Sequence, residues 1–381
     1  MRIVVDANVP AADTAFGSLG EVIRVPGRDI TADTVRDADA LVVRSVTPVN
    51  AALVEGSRLR FVGTCTIGTD HVDQAALEAA GIDFASVPGC NAEAVVDQVL
   101  ISLLTLGERQ GWRLGERRVG VVGAGNVGSR LLQRLQAMGV ACLACDPPRA
   151  ELEDAVGFHS LEELIEQCDV LCLHTPLVQD GPHPTHHLLN AERLESLAPG
   201  TVLLNAGRGD CVDGAALRRR LEQRGDLDVA LDVWEQEPGI DPALSALVAL
   251  ATPHVAGYSL DGKLRGTHGI YCALCWRLGL PARVMLGELL PSPALAELTL
   301  SARMETEDAL RLCMRAVYDV RRDHDALALA ARIQGMAQGF DACRSNYPLR
   351  REFSTLSVRL EGEAGALASP LAAAGFRVAA L

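Results

Sequence analysis

Two ionisable residues lie just beyond the carboxyl ends of two apolar, strand-like runs in the second half of the chain. Glu237 follows the run VALDVW, and His254 follows LVALATP. Ligands of open parallel α/β sheets bind outside the carboxyl ends of strands, so these residues are placed to meet over one substrate. A carboxylate beside an imidazole orients the ring and favours its protonated form, which suits a proton carrier near neutral pH. The alternative for such a histidine is a purely structural role, so the pair needs further context.

A glycine-rich motif about a hundred residues upstream supplies that context. Gly123, Gly125 and Gly128 form G-x-G-x-x-G directly after the apolar run VGVV and before the helix-like segment SRLLQRLQAM. The first glycine permits a tight turn, the second lets the backbone approach a pyrophosphate, and the third lets helix pack on strand. Asn126 and Val127 lie within the motif, where phosphate would meet the helix amino terminus. The pattern predicts a dinucleotide site, and a glycine-rich turn is the alternative.

The next strand-like run, VACLAC, ends at Asp146, 18 residues beyond Gly128. A carboxylate at this position is suited to hold a ribose 2′-hydroxyl, and it repels a 2′-phosphate. The sequence therefore predicts NAD as the cofactor in preference to NADP.

Composition narrows the class of protein. The 381 residues suggest two or three domains, and 49% hydrophobic with 22% charged residues is typical of a globular chain. The net charge of -14 argues against nucleic acid or an anionic membrane as the main partner. The amino terminus lacks the pattern of a signal peptide, and no apolar run reaches membrane-spanning length. We expect a cytoplasmic protein.

Cysteine and histidine clusters raise the question of a metal. Most of the eleven cysteines sit singly in apolar runs, where a buried thiol behaves as a small hydrophobe. Two Cys-x-x-Cys pairs allow a four-thiolate zinc site, but a strand would send the first pair to opposite faces, and no knuckle glycines are present. Three histidines in the loop GPHPTHH lack a carboxylate pattern, so we predict a surface or substrate-facing loop and no metal. These candidates are Cys142, Cys145, Cys272, Cys275, His183, His186 and His187.

The order of elements predicts two parallel sheets. In the first ninety residues, RIVVD, ALVVRS, LRFVGTCT and IDFASVP read as strands, and residues 92–106 read as a long helix that links two domains. These strands end at Asp6, at Arg44 and Ser45, at Thr66 and at residues 88–91. Beyond the glycine motif, four more strand-like runs end near Thr175, Arg208, Asp232 with Glu237, and His254.

The remainder of the chain predicts a return helix and a third region. A helix at residues 264–278 returns the chain to the first domain. Helical patterns then cover residues 309–320 and 326–336, and an alternating strand contains Leu356, Val358 and Leu360. We thus predict a substrate domain at residues 1–94 and 257–285, an NAD domain at 95–256, and a C-terminal α+β domain at 286–381 for oligomerisation or regulation.

The glycine motif, NAGRGD, the Asp-Val-x-x-x-E-P run and TPH resemble the D-isomer-specific 2-hydroxyacid dehydrogenases across residues 1–285. The resemblance implies a flavodoxin-like substrate domain, a Rossmann NAD domain and a cleft that closes over both ligands. It also implies that Arg208 binds the substrate carboxylate and 2-oxygen through its planar fork. His254 would remove the 2-hydroxyl proton while hydride leaves C2, and Glu237 would hold His254.

The same resemblance implies roles for residues at the strand ends. Asp232 would orient the nicotinamide carboxamide, and Ser45, Thr66 and Tyr258 would touch substrate. Arg44 and Lys263 are our own candidates for the substrate phosphate, with solvated or structural charges as the alternative. The full set of implied cofactor contacts is Gly123, Gly125, Asn126, Val127, Gly128, Asp146, Thr175, Ala206, Arg208, Asp232 and Gly257.

Three segments, HTPLVQDGPHPTHHLL, HVAGYSLDGKLRGT and SNYPLRREF, are similar to one subfamily. That similarity implies a small phosphorylated 2-hydroxy acid as substrate, a step of pyridoxal phosphate biosynthesis, and a homodimer built on the C-terminal domain. Because no other phosphate cluster is obvious in the sequence, our own further hypothesis is that an arginine-containing segment such as residues 346–351, with Arg350 and Arg351, reaches the partner's cleft within the dimer and helps to neutralise substrate phosphate. The alternatives are a dehydrogenase of another small acid, such as 3-phosphoglycerate or glyoxylate/hydroxypyruvate, and a dinucleotide-sensing corepressor.

Overall fold

A computed structural model describes residues 1–152, 157–362 and 366–380. They form two compact units, one of residues 1–91 with 258–292 and the other of residues 92–257 with 293–381. The C-terminal region therefore shares a unit with the predicted NAD domain, and the division into three separate domains stays a prediction. No helix among these residues is both long and apolar enough to cross a lipid bilayer.

The smaller unit is built on a parallel five-stranded sheet in the order β2-β1-β3-β4-β5. This is the flavodoxin-like order, as predicted. Four strands match the predicted runs, whereas β2 was not predicted. The strands are β1 (Arg2–Asp6), β2 (Glu21–Val25), β3 (Ala40–Val43), β4 (Phe61–Thr64) and β5 (Asp83–Ser86). The helices between them are α1 (Ala12–Phe16), α2 (Ala32–Val35), α3 (Ala51–Val54) and α4 (Gln74–Ala79).

The larger unit contains a parallel six-stranded sheet in the order β11-β10-β9-β8-β6-β7. Beyond β7, Phe158 makes a single parallel bridge to Ala144 and occupies the place of a third strand. If Phe158 is counted as that strand, the sheet has the Rossmann strand order, with β11 added as a further edge strand. The strand order therefore confirms the predicted Rossmann fold. The strands are β6 (Arg118–Val122), β7 (Ala141–Cys145), β8 (Val170–Leu173), β9 (Val202–Asn205), β10 (Asp228–Leu231) and β11 (Leu250–Ala251).

Helices flank the sheets of both units. In the larger unit, α5 is buried along most of its length, which suits a sequence that is apolar all round. The larger unit adds α5 (Ala92–Gln110), α6 (Asn126–Ala137), α7 (Pro147–Leu152), α8 (Leu161–Gln167), α9 (Ala191–Ser196), α10 (Gly214–Arg224) and α11 (Pro242–Leu247). The smaller unit is completed by α12 (Leu260–Arg277), which is the predicted return helix, and α13 (Leu286–Leu289).

The C-terminal region forms a three-stranded parallel sheet in the order β12-β13-β14. The central strand is the one that its alternating pattern predicted, while both outer strands were missed. The strands are β12 (Glu297–Ser301), β13 (Ser357–Glu361) and β14 (Arg377–Ala380). The helices are α14 (Thr306–Val317), α15 (Val320–Gln334), α16 (Met336–Ser345) and α17 (Ala368–Ala373).

Among the described residues, the larger unit contains two hydrophobic clusters, and both include residues of the C-terminal region. Leu310 of α14 and Leu360 of β13 belong to the same buried cluster as Leu103 of α5 and Val121 of β6. The C-terminal region thus buries its apolar residues against the six-stranded sheet and its helices as well as within itself.

A buried polar contact reinforces this packing. Asp97 of α5 accepts hydrogen bonds from Arg134 of α6 (2.7 Å) and from the backbone N–H of Phe353 (2.8 Å). Burial raises the pKa of Asp97 to about 6, although the neighbouring Arg134 guanidinium opposes the shift. The carboxylate therefore ties α5, α6 and the C-terminal region together.

We predict that Leu310→Ala lowers the free energy of unfolding by about 2–5 kcal/mol, because it leaves a cavity in this shared core. Leu312 lies on the same helix but is 46% exposed, so Leu312→Ala is a matched control with an expected loss below about 1 kcal/mol. Equilibrium denaturation followed by circular dichroism measures both. Equal losses for the two variants would contradict the shared core.

Candidate active site

The glycine motif forms an open cradle between β6 and α6. Gly123 has a φ of 87°, which favours glycine. A Cβ on Gly128 would collide with the carbonyl oxygen of Gly123, whereas a Cβ on Gly125 would meet only open space. Gly125 is the N-cap of α6, and no side chain caps the helix. Backbone N–H groups at this helix start, beside Asn126 and Val127, are thus suited to a pyrophosphate, and the residues present fit a dinucleotide.

Asp146 follows β7 directly and lies against this cradle. Its Oδ2 accepts a hydrogen bond from the backbone N–H of Ala124 at 2.7 Å, and its Oδ1 accepts one from that of Arg149 at 3.2 Å. The carboxylate therefore holds the backbone of Ala124, which stands between the first two glycines of the motif. It also stands where the sequence predicts the ribose contact.

His254 and Glu237 meet as the sequence predicts. The Nδ1 atom of His254 lies 2.7 Å from Oε2 of Glu237, whose Oε1 accepts the backbone N–H of Trp234 at 2.9 Å. The imidazole is 36% exposed, and its Nε2 atom makes no hydrogen bond to any residue in the described ranges. Both His254 (φ 55°) and Gln236 (φ 59°) have left-handed backbones, which are uncommon for residues with a side chain and gather at functional sites.

Asp232 lies at the carboxyl end of β10 and is 4% exposed. Its Oδ1 accepts hydrogen bonds from Gln98, Thr252 and the backbone N–H of Val255, at 3.1, 2.6 and 2.9 Å. Its Oδ2 accepts the N–H of Ala256 at 2.9 Å. The carboxylate thus holds the segment that carries His254. The predicted contact with a nicotinamide carboxamide remains a prediction.

Arg208 stands in a turn after β9. Its Nη1 donates to the carbonyl of Gly207 at 2.9 Å, and its own carbonyl accepts from Asn205 at 2.9 Å. The backbone at Gly207 packs closely on Thr175, since a Cβ there would lie 2.9 Å from the carbonyl oxygen of Thr175. The strand ends therefore bring together the predicted residues Thr175, Ala206 and Arg208 of the larger unit. Gly257 is the last residue of this unit before the chain enters the smaller one.

A second histidine–glutamate pair lies in the same unit and was not predicted as a pair. His187 Nε2 is 2.7 Å from Oε1 of Glu235, and Oε2 of Glu235 accepts the N–H of Gly214 at 2.9 Å. His187 has a left-handed backbone (φ 47°), and its N–H donates to the carbonyl of Asp210. The loop of residues 181–187, which the sequence identified only as surface or substrate-facing, is therefore hydrogen-bonded to Asp210, two residues after Arg208, and to Glu235, two residues before Glu237.

His174 is another residue that the sequence analysis passed over. It follows β8, and both ring nitrogens are buried without a hydrogen-bond partner among the residues that the structure describes. Burial lowers its pKa to about 4, so the ring is neutral at physiological pH. Its carbonyl group packs against Gly123. The order H-T-P after a buried strand was the signal that could have drawn attention to it.

The predicted substrate residues of the smaller unit lie after two strands and around the start of one helix. Arg44 and Ser45 follow β3, and Thr66 follows β4. Tyr258 precedes α12, and Lys263 lies in its first turn. Ser45 is exposed, and Thr66 shares a 2.8 Å hydrogen bond with Thr64. Arg44 donates to the fully buried Asp6 at 3.0 Å. Lys263 Nζ lies 4.6 Å from the centre of the Tyr258 ring. Burial, and then the positive charge of Arg44, lower the pKa of Lys263.

Two further expectations are tested by the geometry. Arg350 is only 2% exposed and donates to backbone carbonyls of its own chain, so the hypothesis that it reaches a partner's cleft is wrong. None of the eleven cysteines, all of which lie in the described ranges, forms a disulfide, and Cys142 and Cys145 pack into different hydrophobic clusters, as opposite faces of β7 require. In the described ranges, no three His, Cys, Asp or Glu side chains are grouped to hold a metal ion.

Comparison with known proteins agrees with the fold and the motifs. Residues 102–256 match the family model described as "D-isomer specific 2-hydroxyacid dehydrogenase, NAD binding domain", and residues 289–375 match a domain of unknown function. A solved structure of the TT0316 protein from Thermus thermophilus superposes with a TM-score of 0.62 at 29% identity, covering 74% of this chain and 99% of that one. Fold and site together define an NAD-dependent 2-hydroxyacid dehydrogenase.

Two curated relatives narrow this class. An erythronate-4-phosphate dehydrogenase from Chromohalobacter salexigens is 59% identical over 378 residues, or 99% of each chain. Its counterpart from Azotobacter vinelandii is 53% identical over 377 residues, or 98% of this chain and 99% of the relative. The chain belongs to the erythronate-4-phosphate dehydrogenase family.

We predict different results for alanine at two glycines of the cradle. Gly125→Ala should weaken NAD binding by about tenfold or more with little change in melting temperature, because its Cβ enters open space that the pyrophosphate needs. Gly128→Ala should chiefly destabilise the fold, because its Cβ collides with backbone. Fluorescence titration with NADH and thermal melts separate the two effects. Unchanged NADH affinity in Gly125→Ala would remove the argument for a pyrophosphate at this site.

Proposed function

We propose that the protein oxidises 4-phospho-D-erythronate with NAD to 3-hydroxy-2-oxo-4-phosphooxybutanoate, a step of pyridoxal 5′-phosphate biosynthesis. The observation that carries the chemistry is the 2.7 Å contact between His254 and Glu237 beside a dinucleotide fold. The substrate is supported by curated relatives more than half identical along nearly the whole chain.

In this mechanism His254 removes the proton from the 2-hydroxyl group through Nε2, while the C2–H bond breaks and the carbonyl forms. When bound, NAD supplies a nicotinamide ring that accepts the hydride from C2. Glu237 holds the imidazole through Nδ1 and stabilises the positive charge that the ring gains. The planar guanidinium of Arg208 binds the substrate carboxylate and polarises the 2-oxygen.

We further propose that Arg44 and Lys263 of the smaller unit favour a phosphorylated acid. The charge of Arg44 disfavours the charged form of Lys263, and a bound phosphate would offset that repulsion. Asp6 already pairs with Arg44 through Nε at 3.0 Å, which orients the guanidinium. In this proposal Ser45, Thr66 and Tyr258 contact the remaining substrate oxygens.

A dinucleotide-sensing corepressor is the second class to consider. A sensor needs the glycine cradle but does not need a proton carrier, and the carboxylate of Glu237 would have no purpose beside His254. The net charge of -14 also disfavours direct contact with nucleic acid. We therefore favour the enzyme. The absence of any disulfide among the eleven cysteines of the described residues supports a reducing compartment such as the cytoplasm.

A substrate panel tests the proposal directly. Purified protein is incubated with NAD and either 4-phosphoerythronate, erythronate, 3-phosphoglycerate, glycerate or glycolate, and NADH absorbance is recorded. We expect the highest kcat/KM with 4-phosphoerythronate and a large loss with erythronate. A higher kcat/KM with any other acid would assign a different substrate, and no NADH from any of them would favour a sensor.

His254→Ala should lower kcat by about two to four orders of magnitude, the usual scale for a lost general base, while NADH still binds. Glu237→Gln keeps the shape of the side chain but loses its charge, so we expect a smaller loss than for His254→Ala. Steady-state kinetics and NADH titration measure both. A His254→Ala variant with normal turnover would exclude His254 as the proton carrier.

We propose a homodimer formed through the C-terminal region. Leu329 and Ile333 lie one turn apart on α15 and are 49% and 68% exposed, and such apolar pairs mark association surfaces. Leu329→Glu with Ile333→Glu should convert the dimer to monomers in sedimentation velocity, because two charges cannot be buried there. Leu152→Glu, at an 85% exposed leucine of α7, is the control. A monomeric wild-type protein would contradict the proposal.

A further inference from the structure

The backbone just after His254 is held from two sides by opposite charges. The N–H groups of Val255 and Ala256 donate to the carboxylate of Asp232, both at 2.9 Å. The carbonyl groups of the same two residues accept hydrogen bonds from Nη1 of Arg350, at 3.3 and 3.0 Å. An anion and a cation thus fix both peptide groups, and the cation comes from the C-terminal region.

Arg350 is itself held rigidly. Its side chain is almost fully buried, its Nη2 donates to the carbonyl of Ala94 at 2.5 Å, and its guanidinium lies 3.5 Å from the centre of the Tyr318 ring. A buried guanidinium is costly without such contacts, and although Nε has no hydrogen-bond partner among the described residues, the carbonyl groups and the aromatic ring around Nη1 and Nη2 hold the group in one position. Its planar fork places Nη1 on the carbonyl groups of Val255 and Ala256 and Nη2 on that of Ala94, a spread that the ammonium of a lysine cannot reproduce.

A second side chain of the same region holds the strand that leads to His254. The backbone N–H of Ala251, in β11, donates to Nδ1 of His324 in α15 at 3.0 Å. Strand β11 has only two residues and lies at the edge of its sheet, so one side of it needs partners outside the sheet. Burial lowers the pKa of His324, which keeps the ring neutral and Nδ1 able to accept.

We propose that the C-terminal region positions the catalytic histidine, with Arg350 and His324 as positioning residues that hold the backbone on both sides of His254. This gives residues 293–362 a part in the reaction that is separate from dimer formation. The inference rests on the proposed function for the role of His254, but the clamp itself is a property of the folded chain. It is therefore open to a measurement that needs no substrate.

The first measurement is hydrogen–deuterium exchange of the folded, full-length protein without ligand. Arg350→Met keeps the volume of the side chain and removes the clamp, so amides in peptides covering residues 250–257 should exchange about tenfold faster or more. Arg359→Met is the matched control, since Arg359 lies on β13, is 46% exposed and pairs only with Glu297 among the described residues. Unchanged exchange at 250–257 in Arg350→Met would overturn the proposal.

The second measurement follows catalysis with whichever acid the substrate panel identifies. We expect kcat to fall at least tenfold in Arg350→Met, with NADH affinity within about twofold of wild type, because misplacing a proton acceptor affects the chemical step. The kinetic isotope effect from deuterium at C2 should rise as chemistry becomes limiting. A loss of stability alone would lower activity in proportion to the folded fraction and leave the isotope effect unchanged, and that result would also overturn the proposal.

Variants at His324 keep the test decisive if Arg350→Met does not fold. His324→Ala removes the acceptor for Ala251 and should reproduce the faster exchange and lower kcat, whereas His324→Asn retains an acceptor and should restore most of both. Equal behaviour of the two variants would exclude a positioning role. If exchange responds as expected while no acid in the panel is oxidised, the clamp stands and the proposed function fails.

Discussion

The buried carboxylate of Asp232 is the interaction on which the candidate site depends. Four donors from α5 and from the segment after β11 converge on it. Each donor left without a partner inside the protein would cost about 1–3 kcal/mol, so the segment has little freedom once these bonds form. The direction of the His254 backbone follows from this anchor, and its N–H also donates to the carbonyl of Asp232 at 2.7 Å.

Backbone geometry around this anchor explains why the site needs so many supports. His254, Gln236 and His187 adopt left-handed conformations that cost of order 1–3 kcal/mol each for residues with a side chain. Hydrogen bonds fix the turn around each of these residues. The backbone N–H of His254 donates to the carbonyl of Asp232, and the N–H of Trp234 donates to the Glu237 side chain beside Gln236. The His187 ring is hydrogen-bonded to the side chain of Glu235. The surrounding bonds therefore offset local strain, and the side chains gain directions that regular strands do not offer.

The sequence was sufficient for those parts of the site that local patterns specify. The turn at Gly123 and the helix start after it follow from glycine spacing, and the meeting of Glu237 with His254 follows from strand order in a parallel sheet. Strand β2 was missed because its EVIRV run lies at a sheet edge, has no fully buried residue and interrupts its apolar residues with the charged Glu21 and Arg24. The place of Phe158 was missed because a single bridge leaves no periodic pattern. Contacts such as that of Arg350 with Val255 join residues 95 positions apart and have no local signal in the sequence.

The C-terminal region shows most clearly why a motif search underestimates a domain. Its sequence contains no catalytic pattern, and oligomerisation was the natural expectation. Yet its helices complete the core under β6 and α6, and Phe353 donates to Asp97 within that core. A region that finishes a core also fixes the backbone above it, because close-packed interiors transmit displacement instead of absorbing it. His324 extends these contacts to β11 and Arg350 extends them to the segment just after His254, so the stability of the larger unit and the position of His254 depend on the same region.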